Sequence, residues 1–349
     1  MRVARLTVVF MVIVGTFMIL GASPKTDAPD GQALWEQASL YFKPLPSVAL
    51  NPDNAVSKAK VELGRELYFD ARLSRNKTIS CNSCHSLATF GVDGLATSPG
   101  DEGQLGSRNS PTVLNAALHG SQFWDGRADD VEEQAGMPIL NPVEMAIPSE
   151  EFLVERLADV AGYDERFVSA FPEDAAPLSY HNIQLALAAF ERTLLTPAPI
   201  DDYLRGNRTA LSDQQLEGLQ LFFDLGCSSC HNGVNFGAAS FRKFGLTDEY
   251  WVHTKSNSVD EGRLTVTGNE QDRYVFRVAS LRNVTKTSPF FHDGSVVKIE
   301  DALRVMVTLQ VGMELEPRQV ANLAAFLDSL TGNLDPAVER GARAAAATP

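Results

Sequence analysis

The pentapeptide Cys81-Asn82-Ser83-Cys84-His85 returns with one residue changed as Cys227-Ser228-Ser229-Cys230-His231, and the two copies hold all four cysteines of the chain. C-x-x-C-H is the signature of covalent haem attachment. The chemistry sets its spacing. Two thiols must reach the two vinyl groups of one porphyrin, and the next residue must put an imidazole under the iron. Three other readings compete. A four-cysteine zinc site uses two C-x-x-C pairs but leaves both histidines unexplained. A thioredoxin-like motif would have to occur twice, each time with a trailing histidine. A disulfide across so short a spacing is strained. The expectation is two covalently bound c-type haems, with His85 and His231 as proximal ligands. Function then turns on the opposite faces of the irons. Two strong ligands make an electron carrier, and an open face makes a catalyst.

Haem attachment of this kind fits an exported chain. The sequence opens with the basic stretch MRVAR. An uncharged run follows from Leu6 to Pro24, strongly apolar to Leu20, and the small residues Gly21, Ala22 and Ser23 come at its end. This order reads as a secretory signal peptide over residues 1–23, with the mature protein in the periplasm. The rival is an uncleaved membrane anchor, since the run is just long enough to cross a bilayer. Either way the rest of the chain is exported. The 349 residues suffice for about two domains. The formal net charge of -14 and the lack of any basic run exclude nucleic acid. Such a surface suits a basic protein partner or a neutral small substrate.

The chain also repeats itself. Gly64-x-x-Leu67-Tyr68-Phe69-Asp70 precedes the first haem motif, and Gly218-x-x-Leu221-Phe222-Phe223-Asp224 precedes the second. Downstream, Arg108-Asn109 leads to Phe123-Trp124-Asp125-Gly126, and Arg282-Asn283 leads to Phe291-His292-Asp293-Gly294. Matching elements in one order predict two copies of one haem domain. The periodic segments are helical. Ile183, Leu187, Phe190 and Leu194 share one apolar face. Ser212 and Gln215 form a capping box opening a helix that ends at Gly226. Pro317 opens another helix, with Val320, Leu323, Leu327 and Leu330 on one face. Short strands are expected between Lys243 and Phe276. Pro197, Pro199, Gly206 and Asn207 mark the junction between halves. The predicted fold is mainly α, with an N-terminal haem domain over 45–195 and a C-terminal one over 196–335. The Ala-rich residues 336–349 are expected as a loose tail.

With these motifs in hand, the chain resembles the bacterial dihaem cytochrome c peroxidases, which are related to the dihaem enzymes of methylamine utilisation. The similarity runs from about Leu45 to Gly332 and is carried by CNSCH, RNSPTVLNA, QFWDGRA, NPVEM, CSSCH, LRNVT and FHDGS. It implies two cytochrome c-like domains that reduce hydrogen peroxide to water. The electrons come from a small periplasmic cytochrome c or copper protein. It implies that the second haem collects electrons, with Met306, fourteen residues after His292, as its axial ligand. Thioether ligation raises the potential, as a collector requires. Read without the resemblance, Met306 is a core residue of its helix. The resemblance makes the first haem peroxidatic, served by Glu144 of NPVEM and Gln134 of VEEQA. A proton must pass from the near to the far peroxide oxygen, and departing hydroxide needs polar support. Read alone, Glu144 is an ordinary surface carboxylate. Trp124 matches the family's tryptophan between the haems, with His292 near the same contact. A calcium ion at the domain interface is implied too, held by the Asn109 side chain and the carbonyls of Thr287 and Pro289, an oxygen set suited to a hard cation. A homodimer is the family's usual assembly.

The chain departs from the pattern in the loop before RNSPT. Many members carry a histidine there that caps the peroxidatic iron in the oxidised resting state. Here the loop reads Thr97-Ser98-Pro99-Gly100-Asp101-Glu102-Gly103-Gln104, and Asp101 stands at the matched position. The first haem is therefore expected to be five-coordinate or water-bound at rest, active without prior reduction. His119 is a weaker substitute ligand. Two other functions remain open. A pure electron carrier needs strong ligands on both faces of both irons. A dihaem oxidase that modifies protein side chains would carry a tyrosine where Met306 stands, and the nearest tyrosine in sequence is Tyr274.

Overall fold

The computed structural model describes residues 31–346. The expected signal peptide lies outside the described residues. The elements in chain order are α1 (Gly31–Tyr41), α2 (Lys58–Phe69), α3 (Cys81–Cys84), α4 (Val131–Leu140), α5 (Glu150–Ala158), α6 (Tyr163–Ala170) and α7 (Tyr180–Glu191). Then come α8 (Pro199–Leu204), α9 (Asp213–Asp224), β1 (Phe241–Lys243), α10 (Tyr250–Thr254), α11 (Leu264–Thr267), β2 (Val275–Arg277), α12 (Ile299–Val311), α13 (Pro317–Asp328) and α14 (Pro336–Ala346). The protein is mainly α, as expected. The two strands pair antiparallel, with Arg242 opposite Phe276. They bracket the expected region rather than fill it.

Each half is built on one helix pair. In the first, α2 packs on α7 so closely that a Cβ at Gly64 would lie 1.8 Å from the Ala186 carbonyl oxygen. In the second, α9 packs on α13, and a Cβ at Gly218 would lie 2.0 Å from the Asn322 carbonyl oxygen. The sequence signals for these helices hold locally. Ser212 Oγ accepts from the Gln215 amide while the Gln215 side chain accepts from the Ser212 amide. Pro317 sits in the first turn of α13. Leu194 and Leu330 lie just past the ends of α7 and α13 yet stay buried.

The repeat continues past the haem motifs in a register that corrects the sequence alignment. Asn115 and Asn283 both adopt left-handed backbone and open a 3-10 turn. Phe123 (φ 64°) and Phe291 (φ 70°) follow at equal spacing, then Gly126 and Gly294, also at positive φ. The counterpart of Asn283 is thus Asn115, not Asn109. Both asparagine side chains donate to Thr196 Oγ1, at 2.8 and 2.9 Å. The Arg-Asn dipeptides misled because their arginines do different work. Arg282 pairs with Asp201, both fully buried, and Arg108 reaches Asp260 and Asp125.

The ends of the described chain cross over. Leu34, Ala38 and Phe42, at the N-terminal end, belong to the apolar cluster of the second half. Leu334 and Val338, near the C-terminal end, pack on the cluster of the first. The segment expected as a loose tail is therefore the helix α14, which packs along α2 and buries Ala342. Ala-rich composition favours helix, and small residues permit close approach to Arg65.

Candidate functional site

The two C-x-x-C-H motifs fold alike. Each cysteine pair spans one helical turn, and the histidine amide donates to the first cysteine's carbonyl at 2.9 Å in both copies. This single turn aims thiols and imidazole the same way. None of the four cysteines is in a disulfide. Among the described residues, no three Cys, His, Asp or Glu side chains converge on a metal-sized site. The two thiol pairs stay with their own halves, so the four-cysteine zinc reading fails.

Burial pulls His85 and His231 below the ordinary imidazole pKa, which favours the neutral form that an iron ligand requires. His231 Nδ1 donates to the Phe236 carbonyl at 3.1 Å, leaving Nε2 free as a ligand. His85 Nδ1 faces the carbonyls of Pro111 and Gly91 without a hydrogen bond of normal geometry. Burial raises the Cys81 and Cys84 thiols and pushes Cys227 up to about 11. Buried thiols beside neutral imidazoles fit haem attachment. So do buried donors that lack any protein acceptor. Arg277 Nη1 is such an atom, and the His119 ring is buried with neither nitrogen in a hydrogen bond of normal geometry, so that its one N–H is a second; both suit a bound group carrying carboxylates. His119 ends the 3-10 turn Ala116–Leu118 and is not in a longer helix.

Glu144 lies in the turn that folds back over the end of α4, its amide donating to the Asn141 carbonyl at 3.0 Å. The Met145 and Ile147 amides tie this turn to the Pro138 and Ile139 carbonyls. Burial raises the Glu144 pKa, opposed by the positive charge of Arg127 and a hydrogen bond from Asn141. The carboxylate lies close enough to Cys84 for its charge to raise that thiol. Gln134 is half-buried on α4, and no hydrogen bond joins it to Glu144.

Met306 is half-buried on α12 and packs against a cluster of Phe244, Tyr250, Phe276 and Leu309. Met313 lies past the end of that helix and is exposed. Trp124, from the first half, packs on the same cluster of the second. Its Nε1 donates to the Asn109 carbonyl at 2.9 Å, and its ring meets that of His292 edge-on at 6.4 Å. Linear distance hid one feature here: Tyr250 and Tyr274 share this cluster with Met306. The Asn109 amide crosses the seam to the His292 carbonyl at 2.7 Å. Asn109 Nδ2 donates to the Leu95 carbonyl, which leaves Oδ1 as the side chain's acceptor.

Asp101 does not face the first motif as a weak ligand would. Its carboxylate accepts from Ser74 Oγ at 2.8 Å, from the Asn76 amide at 2.6 Å, and from the Thr78 hydroxyl. Burial alone would raise its pKa, but these donors outweigh burial and hold it below the usual carboxylate range. This engagement is invisible to a reading of neighbouring residues, because the partners sit 23 to 27 positions away.

A family profile for di-haem cytochrome c peroxidase matches residues 58–209. The cytochrome c551 peroxidase of Pseudomonas aeruginosa is 44% identical over 327 residues, covering 93% of each chain. The methylamine utilization protein MauG of Methylorubrum extorquens is 33% identical and covers 89% of this chain and 88% of its own. Among solved structures, a MauG-like protein associated with microbial copper homeostasis superposes with a TM-score of 0.73 at 30% identity, over 83% of this chain and 94% of that one.

Proposed function

The chain belongs to the di-haem cytochrome c peroxidase family, and from that premise we propose that it reduces hydrogen peroxide at the first haem with electrons collected at the second. It is an oxidoreductase that carries two c-type haems. The donor in this reading is a small periplasmic cytochrome c or copper protein, and residues 1–23 direct export. The haems, when bound, supply the iron at which the O–O bond breaks and the path by which electrons arrive. The protein's part is attachment, orientation and proton handling.

Cys81 and Cys84 hold the first haem, and Cys227 and Cys230 the second. His85 and His231 ligate the irons as neutral imidazoles. Met306, the one methionine on α12 and half-buried there, would supply the second iron's thioether ligand. Glu144 takes the proton of the near peroxide oxygen and returns it to the far one, and Gln134 supports the departing hydroxide. Two protons and two electrons then convert one peroxide to two waters. Trp124 bridges the halves along the electron path. Asn109 Oδ1 with the carbonyls of Thr287 and Pro289 holds one calcium ion at the seam, and the holoprotein is a homodimer.

The observation that carries this reading is the half-buried Glu144 carboxylate within electrostatic reach of Cys84, on a motif whose own iron ligand is kept neutral. With its carboxylate engaged by Ser74, Asn76 and Thr78, Asp101 would not be available to cap the first iron. Relatedness to MauG supports a second reading, a dihaem oxidase of protein side chains, to which the tyrosines beside Met306 lend weight. One assay separates them. The as-isolated diferric protein is mixed with peroxide and a reduced small cytochrome c. The proposal expects two cytochromes oxidised per peroxide without prior reduction of the enzyme. Protein carrying both haems that leaves the cytochrome reduced would sink it.

A further inference from the structure

Three separated segments meet at Asp101. The first, residues 74–78, runs up to Cys81 and donates the three hydrogen bonds to its carboxylate. The second is the loop that carries Asp101 itself. The third is the turn that carries Glu144. The Asp101 amide donates to the Glu144 carbonyl at 2.7 Å. Gln104 Nε2 donates to the Pro142 carbonyl at 2.6 Å. Gly100 lies so near the same turn that a Cβ would sit 2.1 Å from the Val143 carbonyl oxygen. The first and third segments also touch directly, through the Arg75 amide and the Met145 carbonyl at 2.8 Å. Arg156 braces the first segment from behind, donating to the carbonyls of Arg72, Ser74 and Arg75.

Through its side chain Asp101 grips the approach to the first haem motif, and through its backbone it grips the Glu144 turn. A side chain that served only its own turn would bond within residues 99–104, and this one does not. We propose that Asp101 is a positioning residue for Glu144, locking the 99–104 loop against the turn that carries it. The inference rests on the peroxidase reading, in which Glu144 handles the peroxide proton. A loop bonded on both sides ties the Glu144 turn to the segment that leads into the first haem motif. Displacing a proton-transfer group by as little as an ångström is enough to slow chemistry severely.

The test uses the dihaem full-length protein with Asp101→Ala and, as a milder lesion that keeps side-chain volume, Thr78→Val. Two readouts are taken, the second-order rate of the diferric protein with peroxide and backbone hydrogen exchange. In Asp101→Ala the peroxide rate is expected to fall roughly 10- to 100-fold. The KM for the electron donor should stay unchanged, a split that general destabilisation would not produce. The amides of residues 144–146 should exchange about tenfold faster or more, while those of α9 and α13 keep their protection. Thr78→Val should move both readouts in the same direction by less, and it decides the matter if Asp101→Ala fails to accumulate with two haems. A peroxide rate within about twofold of wild type, or faster exchange confined to residues 74–78 and 99–104, overturns the proposal. A wild-type protein that leaves peroxide intact removes the peroxidase reading instead, and exchange at 144–146 still decides whether Asp101 holds that turn.

Discussion

Glu144 sits between two opposing influences, burial that favours its neutral form and the Arg127 guanidinium that favours the charged one. Burial prevails, so the carboxyl titrates above the ordinary glutamate range. A base must be ionised to accept the peroxide proton. Peroxide turnover should therefore be lost as pH falls through this raised pKa, at higher pH than an unperturbed glutamate would give. Glu144→Gln should lower the rate by about 10²–10⁴ and remove that acid limb altogether. A pH–rate profile of both proteins checks this, and an unchanged limb in the variant assigns the titration elsewhere. At this scale the sequence was legible where chemistry fixes spacing, as in the two haem motifs. It was silent where a role depends on a distant partner. Asp101 bonds to Ser74 and Thr78, and Tyr250 lies against the Met306 cluster, contacts made by folding and not by proximity along the chain.

Among the elements, the two crossing points at Gly64 and Gly218 leave no room for a methyl group. Gly218→Ala would drive a Cβ into the backbone of α13, where relief requires the helices to part. Overpacking of this kind costs about 1–3 kcal/mol. Gly31→Ala, where no atom of the described residues lies within 4 Å of the added carbon, is the control and should be near neutral. Urea titrations of the two variants make the comparison, and equal midpoints would refute the close-packing argument. The helices themselves were readable from local chemistry, because the Ser212–Gln215 box and Pro317 act within one turn. The helix α14 was not readable. Its apolar face, Val338, Gly341, Ala342 and Ala345 at helical spacing, is made almost wholly of glycine and alanine, which carry little apolar signal by themselves. The strands were too short to show alternation.

For the whole molecule, the two halves are less separate than the repeat suggests. Arg108 of the first half bonds Asp260 of the second at 2.6 Å. The buried Arg282–Asp201 pair also takes the Leu45 amide at 2.7 Å. Removing residues 333–349 should therefore destabilise the first half, although its own sequence is untouched. The loss of Leu334 and Val338 contacts predicts about 1–3 kcal/mol. Thermal unfolding followed by circular dichroism checks it, and an unchanged midpoint would show that α14 is ornamental. The acidic surface belongs to this scale as well. Its charge of -14 favours a basic donor protein and weakens that encounter as salt rises.

The exchange of chain ends has a temporal side. Translation delivers the first C-x-x-C-H long before Leu334 and Val338, which finish the apolar cluster around it. The N-terminal half therefore reaches its final packing only when that distant segment has docked on it. Until then Cys81 stands in an unfinished core, and the docking of α14 closes it, whereas the second half waits only on Leu34, Ala38 and Phe42, which precede it in the chain.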